Sequence, residues 1–357
     1  MDIKQATKAY ETWVAQSLPL IEADLRLKHQ RMAESPFPFL RATFYRWAQL
    51  WPDLCSHLAS APRVLGVGDL HVENFGTWRD LEGRLVWGVN DFDEACPLPY
   101  PNDLVRLAVS AKLAFIEHHL SCDSDAACDA ILEGYEAGLT KGGQPLVLAD
   151  HHGWLRAVAL SQLRDPVHYW EKLSGWPAAV QPAPADVCAA LRRALPEPKL
   201  SMRIVHRQAG LGSLGRRRYT ALADWRGGMI AREAKELRRS AWYWQQPRRS
   251  DDRIYYQRVI EQAVRAADPF VSFHKRWLLR RLAPDCSRIE LASLPKSNEE
   301  LRLLSAMGWE TANLHLGTKG AKQKITKDLK SRPAKWLRKA TEVMAQATLD
   351  DWKQWSH

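Results

Sequence analysis

The sequence predicts an α+β fold in which a mostly helical part is joined to a small antiparallel sheet. Three observations carry that expectation. Apolar residues recur at helical spacing over residues 1–60 and again from about 102 to 138. Three short, partly alternating runs, 202–207, 216–225 and 229–235, are set apart by glycine turns. Between the two regions lies a Pro-rich stretch with five prolines over 177–198, which reads as a connection.

Taken in order, Tyr10, Trp13, Val14, Leu18 and Leu20 give the first region its helical spacing, and Phe44, Trp47, Leu50 and Trp51 repeat it. Strands are expected at 63–67 and 83–89, separated by polar loops. LVRLAVSAKLAFIEHHL reads as one helix and DSDAACDAILEGYEAGL as the next, with Asp and Ser as N-cap candidates. After the three alternating runs, a helix is expected at 254–267, a strand at 277–282, and helices from Asn298 onward.

Composition narrows the class. A hydrophobic fraction of 46% with 26% charged residues excludes a disordered, collagen-like or coiled-coil chain. At 357 residues the chain calls for two or three structural units. It contains no run of the roughly 18 apolar residues that a membrane span needs, and its start is polar. A cytoplasmic location with no membrane partner is therefore expected. The six cysteines form no CxxC pair, so free thiols are expected and zinc is not.

The formal charge of +10 is unevenly spread. Residues 1–200 hold 19 basic and 25 acidic side chains, whereas residues 201–357 hold 32 and 16. An anionic partner for the second half is one reading of that asymmetry.

The sharpest chemical signal is Gly68-Asp69-Leu70-His71-Val72-Glu73-Asn74, followed by Asn90-Asp91-Phe92-Asp93-Glu94. A carboxylate, an amide five residues on, and further carboxylates at the end of the next hairpin match what magnesium-dependent phosphoryl transfer requires. Asp69 would orient or deprotonate an acceptor hydroxyl, while Asn74, Asp91 and Asp93 offer hard oxygen ligands for Mg²⁺ beside the phosphates of ATP.

A second signal is Gly210-Leu211-Gly212-Ser213-Leu214-Gly215, which fits GxGxxG. A Rossmann fingerprint opens a helix, but here RRRYTALADW alternates toward Gly227-Gly228. Strand, glycine loop, strand is the order in which a loop covers nucleotide phosphates. In the next run, MIAREAKEL, Lys235 stands where a kinase places its phosphate-binding lysine. Strand parity puts Met229, Ala231, Glu233 and Lys235 on one face. Glu261 is the expected acidic partner of Lys235, with Glu236 its rival.

GDLHVEN and NDFDEA resemble the catalytic loop and metal motif of aminoglycoside- and choline-kinase-like phosphotransferases. SPFPFLRAT, GVGDLHVENFG, NDFDEA, GLGSLGRRRY and REAKE together resemble an uncharacterised bacterial family, domain of unknown function 2252, across nearly the whole chain. The kinase resemblance implies a two-lobe fold, with a mostly helical large lobe and a small antiparallel β lobe. It also implies ATP and Mg²⁺ as cofactors, Asp69, Asn74 and Lys235 as catalytic residues, and Asp103 and His71 as structural support. Asp103 in PNDLVRLA would cap its helix and brace the catalytic loop, and GWETANLHL near His315 resembles the helix that leads into that loop.

Two departures stand out. Val67 replaces the histidine usual two residues before the catalytic Asp. The order of parts is also inverted, because the catalytic loop precedes the glycine loop, so a circular permutation is expected. On that scheme residues 1–60 form an N-terminal helical region, 61–199 the catalytic helical lobe, 200–295 the small β lobe, and 296–357 C-terminal helices. It requires Lys235 to lie within about 15 Å of Asp91, a gap that phosphates and metal can bridge.

Three alternatives stay open. An AMP transferase or a nucleotide-binding protein could use the same parts. A metallophosphoesterase would read Gly68-Asp69-Leu70-His71 as GDxH and draw on His118-His119 or His151-His152. A nucleic-acid-binding protein would use the basic run KGAKQKITKDLKSRPAKWLRK. The acceptor substrate is not legible.

Overall fold

Asp2 opens the first helix with a capping box, accepting from Gln5 N at 2.8 Å while the Gln5 side chain accepts from Asp2 N. Four helices follow one another: α1 (Ile3–Ala15), α2 (Glu22–Glu34), α3 (Pro36–Ala42) and α4 (Phe44–Leu54). The computed structural model describes residues 1–118, 122–148, 152–244, 253–289, 294 and 299–357.

Next come β1 (Arg63–Gly66), the hairpin of β2 (Phe75–Arg79) and β3 (Leu85–Val89), and β4 (Cys96–Pro99), which pairs antiparallel with β1. The sequence signalled β1 and β3 only. Phe75 to Trp78 of β2 are buried without alternation, so no period of two marks that strand. Helices α5 (Pro101–Glu117) and α6 (Ser124–Lys141), strand β5 (Leu146–Val147) and helices α7 (Gly153–Ser161), α8 (Pro166–Ser174) and α9 (Ala185–Ala194) complete the first half. Asp123 caps α6, and α5 is buried on nearly every face, so it runs through the core.

The second half begins with β6 (Arg203–Val205), β7 (Arg218–Trp225) and β8 (Gly228–Glu236). Helix α10 (Tyr256–Gln262), β9 (Ser272–His274) and β10 (Trp277–Leu282) follow, then α11 (Glu299–Leu316), α12 (Ala321–Ser331) and α13 (Trp336–Ser356). The five strands form one antiparallel sheet ordered β6-β7-β8-β10-β9. Helix α10 is shorter than its pattern suggested, and β9 was not signalled. The expected start at Asn298 lies outside the described residues.

Two helices placed before residue 200 belong with this sheet and not with the helical part. Val187 and Leu191 of α9 pack on Tyr219, Ala221 and Ala234 at its back, and Tyr169 and Leu173 of α8 pack on Val205 and Leu222 at its front. The Pro-rich stretch is thus no free connection, because α9 inside it covers apolar strand residues that water would otherwise meet. Every other helical layer shares one core, in which Trp47, Trp51, Phe75, Trp87, Tyr100 and Tyr135 are buried. The ends of the chain meet there: α13 contacts α1, and Arg46 of α4 forms a two-pronged ion pair with Asp351 of α13 at 2.7 and 2.9 Å.

Helices α6 and α11 cross at glycines. A Cβ on Gly134 would stand 1.8 Å from the Ser305 carbonyl oxygen, and one on Gly308 would stand 2.0 Å from that of Ile131. The close crossing sets Glu310 of α11 under β3, where its carboxyl accepts from Val89 N at 3.3 Å and from Asn313 Nδ2 at 2.9 Å. Burial lifts the Glu310 pKa to about 7 despite the nearby Arg265 charge.

The folded-state value lies above the usual carboxyl value, so the native protein binds the extra proton between about pH 4.5 and pH 7. Stability from this group is full below that window and falls as pH rises through it. Glu310→Gln is expected to flatten the decline in melting temperature between pH 5 and pH 8. An unchanged slope would contradict the assignment.

Candidate active site

Asp103 builds the first part of the site. From the first turn of α5 its carboxylate accepts from Val67 N at 2.7 Å and Gly68 N at 2.9 Å, and His315 Nε2 lies 3.0 Å away. Tyr135 OH meets the other ring nitrogen of His315 at 2.7 Å. The loop that follows β1 is therefore held by its backbone, through Asp103, although the position two residues before Asp69 is valine. His71 spends Nδ1 on Glu73 N, and its own N–H donates to Asn74 Oδ1 at 2.7 Å. Burial and the charges of Arg41 and Arg106 hold its pKa well below the usual histidine value, so the ring stays neutral.

Asp69 stands on this loop. Arg106 of α5 binds its Oδ1, with Nε at 2.8 Å, and the other oxygen turns to the glycine loop. A Cβ on Gly212 would lie 3.4 Å from Asp69 Oδ2 and 3.0 Å from Arg41 O, so the glycine lets the loop lie close to Asp69 without crowding the Arg41 carbonyl. Burial raises the Asp69 pKa, the Asp91 charge adds to this, and Arg106 opposes it. A carboxylate tuned upward in this way is a better proton acceptor than a free one.

The β2–β3 hairpin delivers the second part, and Asn90 N donates to Asn74 O at 3.0 Å to hold the two loops together. Lys235 reaches across from β8. Its Nζ lies 3.3 Å from Asp91 Oδ1 and 2.6 Å from Asp93 Oδ2. Burial would raise the Asp91 pKa, but the charges of Lys235 and Arg280 outweigh it and hold the carboxyl below its usual range. Asp93 moves the other way, through burial and then through Asp91. Arg216, just after the glycine loop, joins Asp93 at 3.3 Å and Glu94 at 3.1 Å.

Glu261 does not meet Lys235. It is exposed on α10 and accepts from Gln257 Nε2 at 2.7 Å, one turn away on its own helix. Glu236 is no partner either: it lies on the opposite face of β8 and pairs with Arg217. The acids that neutralise Lys235 come from the NDFDEA segment itself.

Sequence reasoning missed most of the arginines. Glu233, fully buried two residues before Lys235, holds Arg207 at 2.7 Å and Arg218 and Arg280 at 2.8 Å each. Arg218 also donates to Ser213 Oγ in the glycine loop at 3.0 Å. Arg41 and Arg288 both pair with Glu73, at 2.8 and 2.7 Å. Strand parity could have put Arg218 beside Lys235, whereas Arg207 and Arg280 depend on strand order and register, which no local pattern encodes.

Asp69, Asn74, Asp91, Asp93 and Lys235 line one cleft of about 710 Å³ with Gly210, Gly212, Ser213, Glu261 and the arginines paired to Glu233 and Glu73, whereas Asp103, Arg106 and Glu233 do not line it. The volume is that of a small-molecule site. Its described lining carries ten basic side chains against seven acidic ones, which suits an anionic ligand.

The donors suit a hard cation. Asp93 Oδ1 is buried without a hydrogen-bond partner, and Asp91 opens to the cleft beside it. Two carboxylates and the Asn74 amide oxygen are the ligand types of Mg²⁺. No cluster of three or more His, Cys, Asp or Glu placed to hold a metal is found among the described residues. His71 spends its ring as described, His118 caps the end of α5, and His119 and His151 lie outside the described residues, so a phosphoesterase centre gains no support.

Residues 20–154 match the model of a bacterial family, DUF2252, described as an uncharacterized protein conserved in bacteria. The DUF2252 stretch contains Asp69, Asn74, Asp91, Asp93 and Asp103, while the glycine loop and Lys235 lie beyond it. No curated protein and no solved structure matches the chain. No helix of the described residues is long and apolar enough to cross a membrane.

Proposed function

We propose that the chain is an ATP- and Mg²⁺-dependent phosphotransferase with a kinase-like two-lobe fold whose parts are circularly permuted. The observation that carries this reading is Lys235, which joins β8, the second strand after the glycine loop, to Asp91 and Asp93 of the other part. A lysine, a glycine loop lying on Asp69, and an unpartnered carboxylate oxygen of Asp93 meet in one cleft, as transfer from a nucleotide needs.

In this reading Gly210, Gly212 and Ser213 cover the phosphates and Lys235 neutralises them, while Gly215, packed against Leu25 of α2, lies outside the cleft. Asp69 Oδ2 accepts the proton of the acceptor hydroxyl, and Arg106 keeps that carboxylate oriented. Mg²⁺, held by Asp91, Asp93 and Asn74, would supply charge neutralisation at the phosphate oxygens. The permutation reading is supported by the placement of α11. Thr318, two residues past its end, accepts from Leu65 N of β1 at 2.8 Å, so α11 leads to the catalytic loop in space though not in sequence.

Calorimetric titration of ATP into the wild-type protein with and without Mg²⁺ tests the class. Saturable binding that strengthens with Mg²⁺ is expected, and absence of nucleotide binding would remove the reading.

The basic run has a separate observation. Lys319, Lys324, Lys327 and Lys330 are exposed, pair with no acid among the described residues, and lie outside the cleft. An anionic macromolecule could bind there through salt-sensitive contacts.

A further inference from the structure

Alternate residues of a strand share a face, and the strand register extends that rule across the sheet. Arg218 pairs with Lys235, Thr220 and Arg280 pair with Glu233, and Leu278 pairs with Lys235. The face turned to the cleft therefore carries Lys235 and, roughly 7 Å further along β8, Glu233 with its three arginines. Arg207, Arg218 and Arg280 all line the cleft. Arg218 is 4% exposed, and the Glu233 carboxylate among these arginines is fully buried.

One carboxylate against three guanidinium groups leaves an excess of positive charge that Asp91, near Arg280, offsets only in part, and Arg207 and Arg280 open to the cleft with 18% and 22% of their side chains exposed. Such charge is costly unless an anion answers it. Arg218 stands opposite Lys235, and Thr220, Glu233 and Arg280 occupy the next positions along this face, so these positions offer a purine ring no apolar bed; the apolar lining of the cleft comes from residues such as Tyr256, Ile260 and Phe273. Fixed guanidinium forks match phosphate oxygens.

We propose that the terminal phosphates of the nucleotide lie against Arg207, Arg218 and Arg280, which turns the α-phosphate toward Asp69 and makes AMP the transferred group. This rests on the nucleotide site proposed above and specifies its reaction. The acceptor hydroxyl oxygen forms a bond to the α-phosphorus. The bond from that phosphorus to the oxygen bridging to the β-phosphate breaks, and pyrophosphate leaves with the electron pair. The hydroxyl proton passes to Asp69 Oδ2. Nothing is oxidised or reduced.

Orientation can be read without knowing the acceptor. Calorimetry with ATP and with AMP would compare the wild type with Arg207→Ala and Arg280→Ala. The expected result is a loss of about tenfold or more for ATP, the worth of a charge-assisted hydrogen bond, with AMP affinity unchanged. Equal losses for ATP and AMP, or no loss for either, would overturn the proposal.

Should a variant not fold, two analogues on wild-type protein decide the same point. ATP with a benzyl group on N6 should bind like ATP, and ATP with an alkyl ester on its γ-phosphate should bind at least about tenfold more weakly, since its cap meets the three arginines. The reverse order would overturn the proposal. Wild type that bound neither ATP nor AMP would instead remove the nucleotide site itself, and that failure shows before any variant is made.

Discussion

Asp91→Ala protein is expected to fold normally and to lose Mg²⁺-dependent ATP binding, whereas Lys235→Ala protein is expected to lose both binding and much of its stability. The contrast follows from burial. The Asp91 side chain is 32% exposed, and its removal leaves Lys235 still paired with Asp93 at 2.6 Å. Removing Lys235, itself 2% exposed, leaves two carboxylates facing each other at the bottom of a cleft with Arg216 as the main remaining neighbour of Asp93. Breaking a buried pair from one side costs about 3–5 kcal/mol. Chemical denaturation and ATP titration of both variants check the pair of outcomes. Two variants equally stable, or Asp91→Ala protein with unaltered Mg²⁺ dependence, would not fit.

Gly308→Val is expected to be among the most damaging single changes outside the cleft. Its first side-chain carbon would stand 2.0 Å from a backbone oxygen of α6, and Gly134 faces the same crossing from the other helix. Backbone cannot yield as a side-chain end can, so α6 and α11 must separate. The cost should exceed about 4 kcal/mol, in the range where one change unfolds a domain. Separation would also carry His315 away from Asp103 and free the loop that holds Asp69. Little soluble protein, or a circular dichroism melt far below the wild type, is the expected readout. A melt within a few degrees of the wild type would show that the helices can shift apart cheaply.

The cleft was readable in the sequence where its chemistry is local. Asp69 and Asn74 sit five residues apart on one loop, the glycines of residues 210–215 lie between two alternating runs, and strand parity aligned Glu233 with Lys235. Asp103 was legible through the resemblance of PNDLVRLA to a helix start in kinase-like proteins, and it accepts from Val67 N and Gly68 N.

What was not readable depends on pairing between distant segments. The sequence points to α10 for the partner of Lys235, where Glu261 in fact faces solvent, because nothing local says that β8 leans on the loop after β3. Arg280 reaches Glu233 only because β10 pairs with β8, and Arg207 only because β6 ends beside them. Strands β2 and β4 escaped notice because short buried strands lack alternation, and α8 and α9 were grouped with the wrong part because apolar residues on a helix do not name the surface they cover.

The proposed reaction needs one metal and one nucleotide to meet at Asp91 and Asp93. Electron paramagnetic resonance of Mn²⁺, used in place of Mg²⁺, measures that meeting directly. With wild-type protein the free Mn²⁺ signal should fall when ATP and protein are present together, beyond what ATP alone removes. With Asp91→Ala protein the further fall should vanish. Equal immobilisation of Mn²⁺ by both proteins, or none by the wild type, would contradict the account.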